Sequence, residues 1–222
     1  MFPDSPTNLW RGIEIKLLKQ RWGRYFQGKI LDLGCGEGEV AKLVFNKGQS
    51  FVKELWGLDN DPEMVKKAQK SGVYSRVILG DARKIKLQNN SVDLVFSNSV
   101  LEYIQDIEAV LEEVGRVLKP GGYLVATMPS DKLGEYLGWG KIYAWWFNRK
   151  YHHYHLYSLA KWEKLLIKHG LKLIDSKNYL GREEVKYWHK LLWLNKLGIS
   201  RFYSRQVASG FGAAIAILGR KI

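Results

Sequence analysis

Cysteine is almost absent from this chain of 222 residues, with Cys35 the single example. One cysteine excludes a framework of internal disulfides, and such scarcity is typical of a reducing compartment. The chain also lacks a run of eighteen apolar residues, an N-terminal signal-peptide pattern and the cysteine and histidine spacing of zinc sites. We therefore expect a cytoplasmic protein without a transmembrane segment or a metal site.

Acidic residues are also few, with 22 Asp and Glu against 35 Lys and Arg. This imbalance is local. Residues 29–128 carry 13 basic and 14 acidic side chains, whereas residues 139–205 carry 14 basic and 4 acidic ones and six of the nine tryptophans. A basic, aromatic region beside a neutral one indicates an anionic partner or surface.

The most informative motif is D-x-G-x-G-x-G, which extends from Asp32 to Gly38. It follows an apolar run typical of a buried strand and precedes a segment with helical spacing. Glycines at this spacing let the backbone turn sharply and approach a ligand at the carboxyl end of a strand, as in doubly wound α/β folds. The spacing differs from the dinucleotide fingerprint. No Lys-Ser or Lys-Thr pair follows, which argues against nucleoside triphosphate hydrolysis.

Further strand-like segments follow in chain order at 55–59, 76–79, 92–96 and 123–128. The first of them ends in Asp59, and Pro62 then begins an apparent helix. A second helix, predicted over 106–118, is stopped by the Lys-Pro-Gly-Gly sequence at 119–122, where we expect glycine to supply a left-handed cap. Strands and helices that alternate in this way indicate a parallel sheet.

This ordered set, which includes the string R-V-L-K-P-G-G-Y-L at 116–124, resembles the class I S-adenosylmethionine-dependent methyltransferases with a type 11 domain. The resemblance covers residues 29–128 and implies S-adenosyl-L-methionine as the cofactor. It assigns the ribose hydroxyls to Asp59, for which an ordinary strand-end aspartate is the alternative, and the adenine surroundings to Asp81 and Ala82. For Cys35 we favour a small residue filling a tight turn over a nucleophile. The predicted cofactor-binding residues are Asp32, Gly34, Cys35, Gly36, Gly38, Asp59, Asn60, Asp81, Ala82, Asn98, Ser99 and Val100.

The resemblance also implies the fold class: one α/β domain over 1–222, with a Rossmann-like, doubly wound, seven-stranded sheet that is mostly parallel and has an antiparallel seventh strand. We predict the last two strands at 171–174 and 211–218, and helices at 8–26 and 183–197. Ser158 is predicted to cap the helix before the sixth strand. Residues 29–128 are the expected cofactor-binding core. The predicted lid or substrate-side elements are 1–28, 129–157 and 180–205.

Three histidines, His152, His153 and His155, precede the helix that borders the acceptor pocket in similar enzymes. Methyl transfer is an in-line displacement, so alignment does most of the catalysis and no metal is needed. If the acceptor is a hydroxyl, one of these histidines is a candidate general base. The alternative is that they form pocket walls or surface. Glu102 and Tyr103 are further candidates to face the acceptor.

We therefore predict methyl transfer to a small-molecule, lipid or glycan acceptor, at a hydroxyl group. The basic, aromatic insertions suit an anionic membrane interface, which would make the protein peripheral to the membrane. They would also suit RNA, or the rings could simply pack the lid. An RNA methyltransferase is the alternative enzyme, disfavoured because residues 97–100 lack the D/N-P-P-Y/F string of many nucleic-acid amino-methylating enzymes. A non-catalytic S-adenosylmethionine-binding, membrane-associated protein is the alternative from another class.

Overall fold

The computed structural model describes residues 5–45, 51–137, 140–196 and 212–222. Its strands are β1 Gly28–Leu33, β2 Val52–Asp59, β3 Arg76–Leu79, β4 Val92–Asn98, β5 Leu118–Pro129, β6 Leu171–Tyr179 and β7 Ala214–Lys221. They form one sheet of order β3-β2-β1-β4-β5-β7-β6. Strands β1 to β5 pair in parallel, and β7 pairs antiparallel with both β5 and β6. The predicted fold class is thereby confirmed.

The helices lie on both faces of this sheet. They are α1 Ser5–Trp22, α2 Glu39–Val44, α3 Pro62–Lys70, α4 Ile107–Val117, α5 Leu133–Tyr136, α6 Gly140–Lys150, α7 Leu159–Lys168 and α8 Arg182–Lys196. Short 3-10 turns cover Gly23–Tyr25 and Leu101–Tyr103. The predicted caps hold for two helices. Pro62 begins α3, and the Ser158 hydroxyl accepts a hydrogen bond from a backbone N–H in the first turn of α7.

Two apolar cores sandwich the sheet, and neighbouring residues of one strand contribute to opposite cores. Ile30 of β1 packs in the core with α1, whereas Leu31 packs in the core with α4 and α7. Strand β4 divides in the same way between Phe96 and Val95. Because both faces are covered, the central parallel strands are almost continuously apolar, which is why their positions were readable from the sequence.

The Lys-Pro-Gly-Gly sequence does not cap α4 as predicted. The helix ends at Val117, and Leu118 is already extended with φ −65° and ψ 136°. The positive φ of 76° belongs to Gly121, three residues beyond the cap position and inside β5, where the pairing with β4 shifts in register. The prediction of a left-handed glycine cap was therefore wrong. Leu118 is fully buried and pairs with Val92, so the chain enters the sheet directly from the helix.

The apolar residues Leu9, Ile13, Leu17 and Leu18 recur in α1 at helical spacing, but of these only Leu18 is buried. The fully or almost fully buried residues recur every four positions, as Trp10, Glu14, Leu18 and Trp22. A carboxylate thus occupies the middle of the buried stripe. The predicted seventh strand began at residue 211 and the predicted last helix ended at residue 197, and both of these bounds lie outside the described residues.

Candidate functional site

The glycine turn is tied to the carboxyl end of β2. The backbone N–H groups of Gly34 and Cys35 both donate to the carbonyl oxygen of Leu58, at 2.8 and 3.0 Å. Gly34 has φ 74°, and a Cβ there would lie 2.4 Å from Cγ2 of Val100, so no larger residue fits without displacing the loop after β4. A Cβ on Gly36, by contrast, would meet no described atom within 4 Å. The backbone at Gly36 is therefore open to a ligand.

Asp59, at the end of β2, holds this turn in place. One carboxylate oxygen accepts the Gly36 N–H at 2.8 Å, and the other accepts the Asp61 N–H at 3.0 Å. An ionised carboxylate has about four lone-pair sites. Two therefore remain for hydroxyl donors of a ligand. Asp59 also lines the cleft described below, where it could take up such donors.

Asp32, at the end of β1, lies beneath the turn and is buried. The hydroxyl group of Tyr74 donates to its Oδ2 at 2.6 Å. Burial raises the pKa of Asp32 to about 7; the bond from Tyr74 opposes that shift, and the negative charge of Asp59 adds to it. A positively charged ligand beside this pair of carboxylates would favour the ionised form of Asp32. Tyr74 could not be recognised in the sequence, because its role depends on the contact with Asp32, which is 42 residues away.

A cleft of about 410 Å³ opens at the carboxyl ends of β1, β2 and β3. Of the predicted cofactor-binding residues, its lining includes Gly34, Asp59, Asn60, Asp81, Ala82 and Val100. The other predicted residues, which do not line it, are Asp32, Cys35, Gly36, Gly38, Asn98 and Ser99. The lining also contains residues that the sequence did not single out, namely Leu58, Gly80, Arg83, Ile104, Gln105 and Tyr154.

Arg83 is the most polar of these additions. Its guanidinium contacts both oxygens of Asp81, with Nη2 at 2.6 Å from Oδ2, and its backbone N–H donates to Oδ1 at 2.8 Å. The hydrogen bonds from Arg83 lower the pKa of Asp81. Asp81 therefore faces the cleft as a carboxylate already paired with a cation. An acid and an arginine two residues apart in a turn were a signal that the sequence did contain.

Cys35 and Gly38 serve the turn itself. A Cβ on Gly57 would lie 2.8 Å from the sulfur of Cys35, so the thiol fills the space left by that glycine. Burial raises the pKa of the Cys35 thiol well above its usual value, which keeps it protonated. Gly38 is the N-cap residue of α2, where it packs against Tyr74. These contacts favour a structural role for both residues.

Asn98 and Ser99 are covered by α1. The amide nitrogen of Asn98 donates to Thr127 Oγ1 at 2.7 Å, and its oxygen accepts from Nη1 of Arg11 at 2.7 Å. Nη1 of Arg11 also donates to the hydroxyl of Ser99 at 2.7 Å. Arg11 was not predicted, since it lies 87 residues from Asn98 in the chain. The end of β4 is thus joined to the N-terminal helix by an arginine.

The three candidate histidines lie in different environments, and none of them is in the lining of the cleft. His155 is buried. Its Nε2 donates to the carbonyl oxygens of Ile104 and Gln105, at 2.8 and 3.1 Å, and its Nδ1 lies 2.9 Å from the Tyr157 hydroxyl. With both ring nitrogens engaged, His155 joins the segment before α7 to the loop after β4. Its geometry does not suit a general base.

Burial lowers the pKa of His153 to about 4, so this histidine is a weak base. Its Nδ1 lies 3.2 Å from the side-chain oxygen of Asn148. His152 is exposed and has φ 54°. The residue between the histidines that does line the cleft is Tyr154, whose backbone N–H donates to the carbonyl oxygen of Glu102 at 2.8 Å.

Glu102 is fully buried beside the cleft residue Tyr103. Within the described parts of the chain, neither of its carboxylate oxygens has a hydrogen-bond partner. Burial raises the pKa of Glu102 to about 8; the charge of Arg11 lowers it and that of Glu14 raises it. Glu102 is therefore mainly protonated at neutral pH.

The pKa of Glu102 predicts a pH dependence of stability. Folding raises this pKa from 4.5 to about 8, so the folded state binds the proton of Glu102 more tightly than the unfolded state does. The contribution of Glu102 to the free energy of unfolding is therefore highest below pH 4.5 and falls as the pH rises toward 8. We expect the Glu102→Gln variant to gain stability relative to the wild type over this interval, by on the order of a few kcal/mol. Thermal unfolding of both proteins at a series of pH values measures the difference in stability. Other titrating groups affect both proteins equally and cancel from this difference. A constant difference would contradict the assignment.

Taken together, the parallel sheet, the glycine turn and the acids at the ends of β1 and β2 define an α/β protein with a ligand site at the carboxyl edge of the sheet. Residues 31–126 match the sequence model of a family described as "Methyltransferase domain". This match covers the part of the chain that carries the glycine turn and the strand-end acids, and it indicates a methyltransferase domain there. The family resemblance inferred from the motifs is confirmed.

Curated relatives match part of the chain. A malonyl-[acyl-carrier protein] O-methyltransferase from Hamiltonella defensa is 29% identical over 141 residues, which are 63% of this chain and 53% of that protein. A trans-aconitate 2-methyltransferase from Enterobacter sp. is 32% identical over 102 residues, which are 46% and 39% of the two chains. The chain thus spans about half the length, or less, of these relatives.

Solved structures match almost the whole chain. An S-adenosylmethionine-dependent methyltransferase from Thermotoga maritima has a TM-score of 0.68 at 21% identity and covers 98% of this chain and 91% of its own. The [4+2]-cyclase SpnF has a TM-score of 0.62 at 18% identity, with 94% and 79% covered. These similarities show the fold. A cyclase among them illustrates that the fold alone does not determine the reaction.

Two further observations concern the described residues only. No helix there is long and apolar enough to cross a membrane. No group of three or more His, Cys, Asp and Glu side chains is arranged there to hold a metal ion.

Proposed function

We propose that this chain transfers a methyl group from S-adenosylmethionine to an oxygen atom of a small, anionic acceptor. The observation that carries the cofactor assignment is the hydrogen bond between Asp59, a strand-end carboxylate, and the N–H of Gly36 in the open glycine turn. The cleft beside them has a volume suited to a nucleoside-sized ligand. The residues present therefore fit the cofactor that the family uses.

In this proposal Asp59 accepts the ribose hydroxyls, while Ala82 and the Asp81–Arg83 pair border the adenine side of the cleft. Asp32 places a carboxylate near the cationic end of the cofactor, where its pKa of about 7 would fall on binding. When bound, S-adenosylmethionine supplies an electrophilic methyl group on a positively charged sulfur. The protein's part is then to align the acceptor oxygen and exclude water.

We assign acceptor recognition to the predicted lid elements. Helices α1, α6 and α8 gather on one face of the sheet: the rings of Trp10 and Trp188 lie 4.9 Å apart, and those of Phe147 and Trp188 lie 6.2 Å apart. Arg11 connects this layer to the end of β4. Helices α6 and α8 of this layer lie in the basic region, residues 139–205, which favours an anionic acceptor.

The chemistry of the histidines supports an acceptor that needs no base. A general base would help a hydroxyl acceptor, which the sequence suggested, but His155 is fully engaged and His153 has a pKa of about 4. His152 is exposed and does not line the cleft. A carboxylate is already ionised at neutral pH. The names of two relatives, acting on a malonyl group and on trans-aconitate, both denote carboxylic acids. We therefore favour a carboxylate over a hydroxyl.

The test uses S-adenosylmethionine with a labelled methyl group, incubated with the purified protein and a cell extract. A Gly36→Trp variant, which fills the open side of the turn, is the control for cofactor-dependent transfer. Lipid, nucleic acid, protein and small-molecule fractions are counted and then treated with mild alkali. Methyl esters release labelled methanol under these conditions, whereas methyl ethers do not. We expect alkali-labile label in the small-molecule fraction.

Other outcomes distinguish the alternatives. Alkali-stable label in small molecules would overturn the carboxylate and leave a hydroxyl, nitrogen, sulfur or carbon acceptor. Label in nucleic acid would support the RNA methyltransferase that the sequence left open. No incorporation above the Gly36→Trp control, from a protein that binds the cofactor in calorimetry, would favour the non-catalytic alternative.

A further inference from the structure

The outer face of α6 carries an unusual set of side chains. Ile142, Trp145 and Trp146 are 85%, 62% and 45% exposed, and Arg149 and Lys150 follow on the same side at the spacing of a helix. Large apolar residues are normally exposed singly rather than as neighbours on one stripe. This group, which we call the α6 stripe, therefore marks an interaction surface.

The opposite face of α6 fixes its orientation. Phe147 is buried, with its ring 6.2 Å from that of Trp188 in α8, and the Tyr143 hydroxyl lies 2.6 Å from Nε2 of His189. Rotating the helix to hide the α6 stripe would expose Phe147 and separate Tyr143 from His189. The tryptophans are thus presented to solvent by a helix that is already packed on its other side.

The charge of α6 is entirely positive. The helix contains Lys141, Arg149 and Lys150 and no acidic residue. Across the described ranges, none of these cations forms an ion pair. Arg149 lies 5.6 Å from the ring centre of Trp145, and Lys150 lies 4.9 Å from that of Trp146. Unpaired cations are thus interleaved with exposed indoles.

We propose that the α6 stripe docks this protein on an anionic phospholipid surface. Tryptophan rings are favoured at the depth of the headgroups, and adjacent Lys and Arg side chains bind the lipid phosphates. A helix that lies in the interface needs an apolar side and a cationic flank, and α6 presents both outward. This proposal is independent of the methyl-transfer chemistry.

Single-stranded RNA fits the same surface less well. Bases stack on accessible ring faces, but here Arg149 and Lys150 lie near the rings that would be used. The most exposed residue of the α6 stripe is Ile142, which offers a base neither a ring nor a hydrogen bond but gains free energy in an acyl boundary. The composition of the stripe therefore favours lipid.

The test is co-sedimentation of the full-length protein with vesicles of phosphatidylcholine, with and without phosphatidylserine. We expect binding only with phosphatidylserine, weakened by salt. An Arg149→Gln/Lys150→Gln variant should lower the partition coefficient about tenfold or more, at about 1 kcal/mol for each cation. An Ile142→Ala/Trp145→Ala variant should lower it at least tenfold.

Matched controls distinguish binding through this surface from non-specific adsorption to vesicles. Lys66→Gln/Lys67→Gln removes two exposed cations of α3, and Ile167→Ala/Ile174→Ala removes two exposed apolar side chains elsewhere; both should bind as the wild type does. The proposal is overturned if vesicles do not bind, if phosphatidylserine makes no difference, or if the α6 variants bind as well as the controls. It is also overturned if the α6 variants lose only binding to single-stranded RNA.

Discussion

Replacing Asp59 by alanine should weaken the binding of S-adenosylmethionine at least tenfold. Each lost hydrogen bond to a charged acceptor costs about 1.5–3 kcal/mol, and the carboxylate also anchors the N–H of Gly36 at 2.8 Å. The variant therefore loses the proposed ribose contacts and the fixed position of the turn together. Isothermal titration calorimetry with the cofactor measures the change directly and does not require a known acceptor.

Asp61→Ala is the matched control for Asp59→Ala. Asp61 is an exposed aspartate two residues further on, and its side chain accepts from the N–H groups of Glu63 and Met64 as the N-cap of α3. Its loss should cost about 1 kcal/mol of stability and leave cofactor affinity almost unchanged. If the two variants bind the cofactor equally well, the ribose role of Asp59 is wrong. Circular dichroism of both variants shows whether the fold is retained.

The residues on the cofactor side of the molecule could be predicted from the sequence because their signals are local. The order of strands, the glycine turn and the strand-end acids each occupy a few consecutive residues, and parallel strands bring their carboxyl ends to one edge. Asp59 and Asp81 accordingly lie in the cleft lining as expected. Cys35 and Gly38 belong to the same motif but support the turn, and sequence spacing does not separate these two roles.

The residues on the acceptor side were harder to predict from the sequence because they come together only through tertiary packing. Burial makes Glu102 a protonated acid, Arg11 and Glu14 of α1 act on its pKa, and its neighbours in sequence give no sign of this. The histidine-rich segment gave a strong local signal for a base, yet His155 uses both ring nitrogens to hold the loop after β4. A residue type that suits catalysis also suits a buried hydrogen-bonding bridge.

Helical periodicity predicted α1 but not which of its sides is buried. One deciding contact comes from a distant part of the chain, because Glu14 accepts a hydrogen bond from the hydroxyl of Tyr179, which is 165 residues away. The other comes from the same helix, where Nη1 of Arg11 donates to Glu14 at 2.6 Å. Carboxylates are seldom buried unless they are paired. The pairing therefore had to be seen before Glu14 could be placed in the buried stripe.

Replacing Glu14 by alanine should destabilise the protein by about 3 kcal/mol, since it removes one partner from a buried ion pair. Arg11 would keep its hydrogen bonds to Asn98 and Ser99 but would lose the carboxylate that neutralises its charge. The buried hydroxyl of Tyr179 would lose its hydrogen-bond acceptor. The melting temperature should fall by about 6–12 °C for a chain of this size. Thermal unfolding followed by circular dichroism measures this change.

Two further variants distinguish the ion pair from lost volume. Glu14→Gln keeps an acceptor for Tyr179 and the size of the side chain, so it should lose less stability than Glu14→Ala. The double change Arg11→Met/Glu14→Leu removes both charges and should recover part of the loss, because no unpaired charge is left while the hydroxyl of Tyr179 still lacks its acceptor. A Glu14→Ala protein as stable as the wild type would show that α1 is not held by this pair. That result would favour a role for Arg11 in binding the methyl acceptor rather than in stabilising the fold.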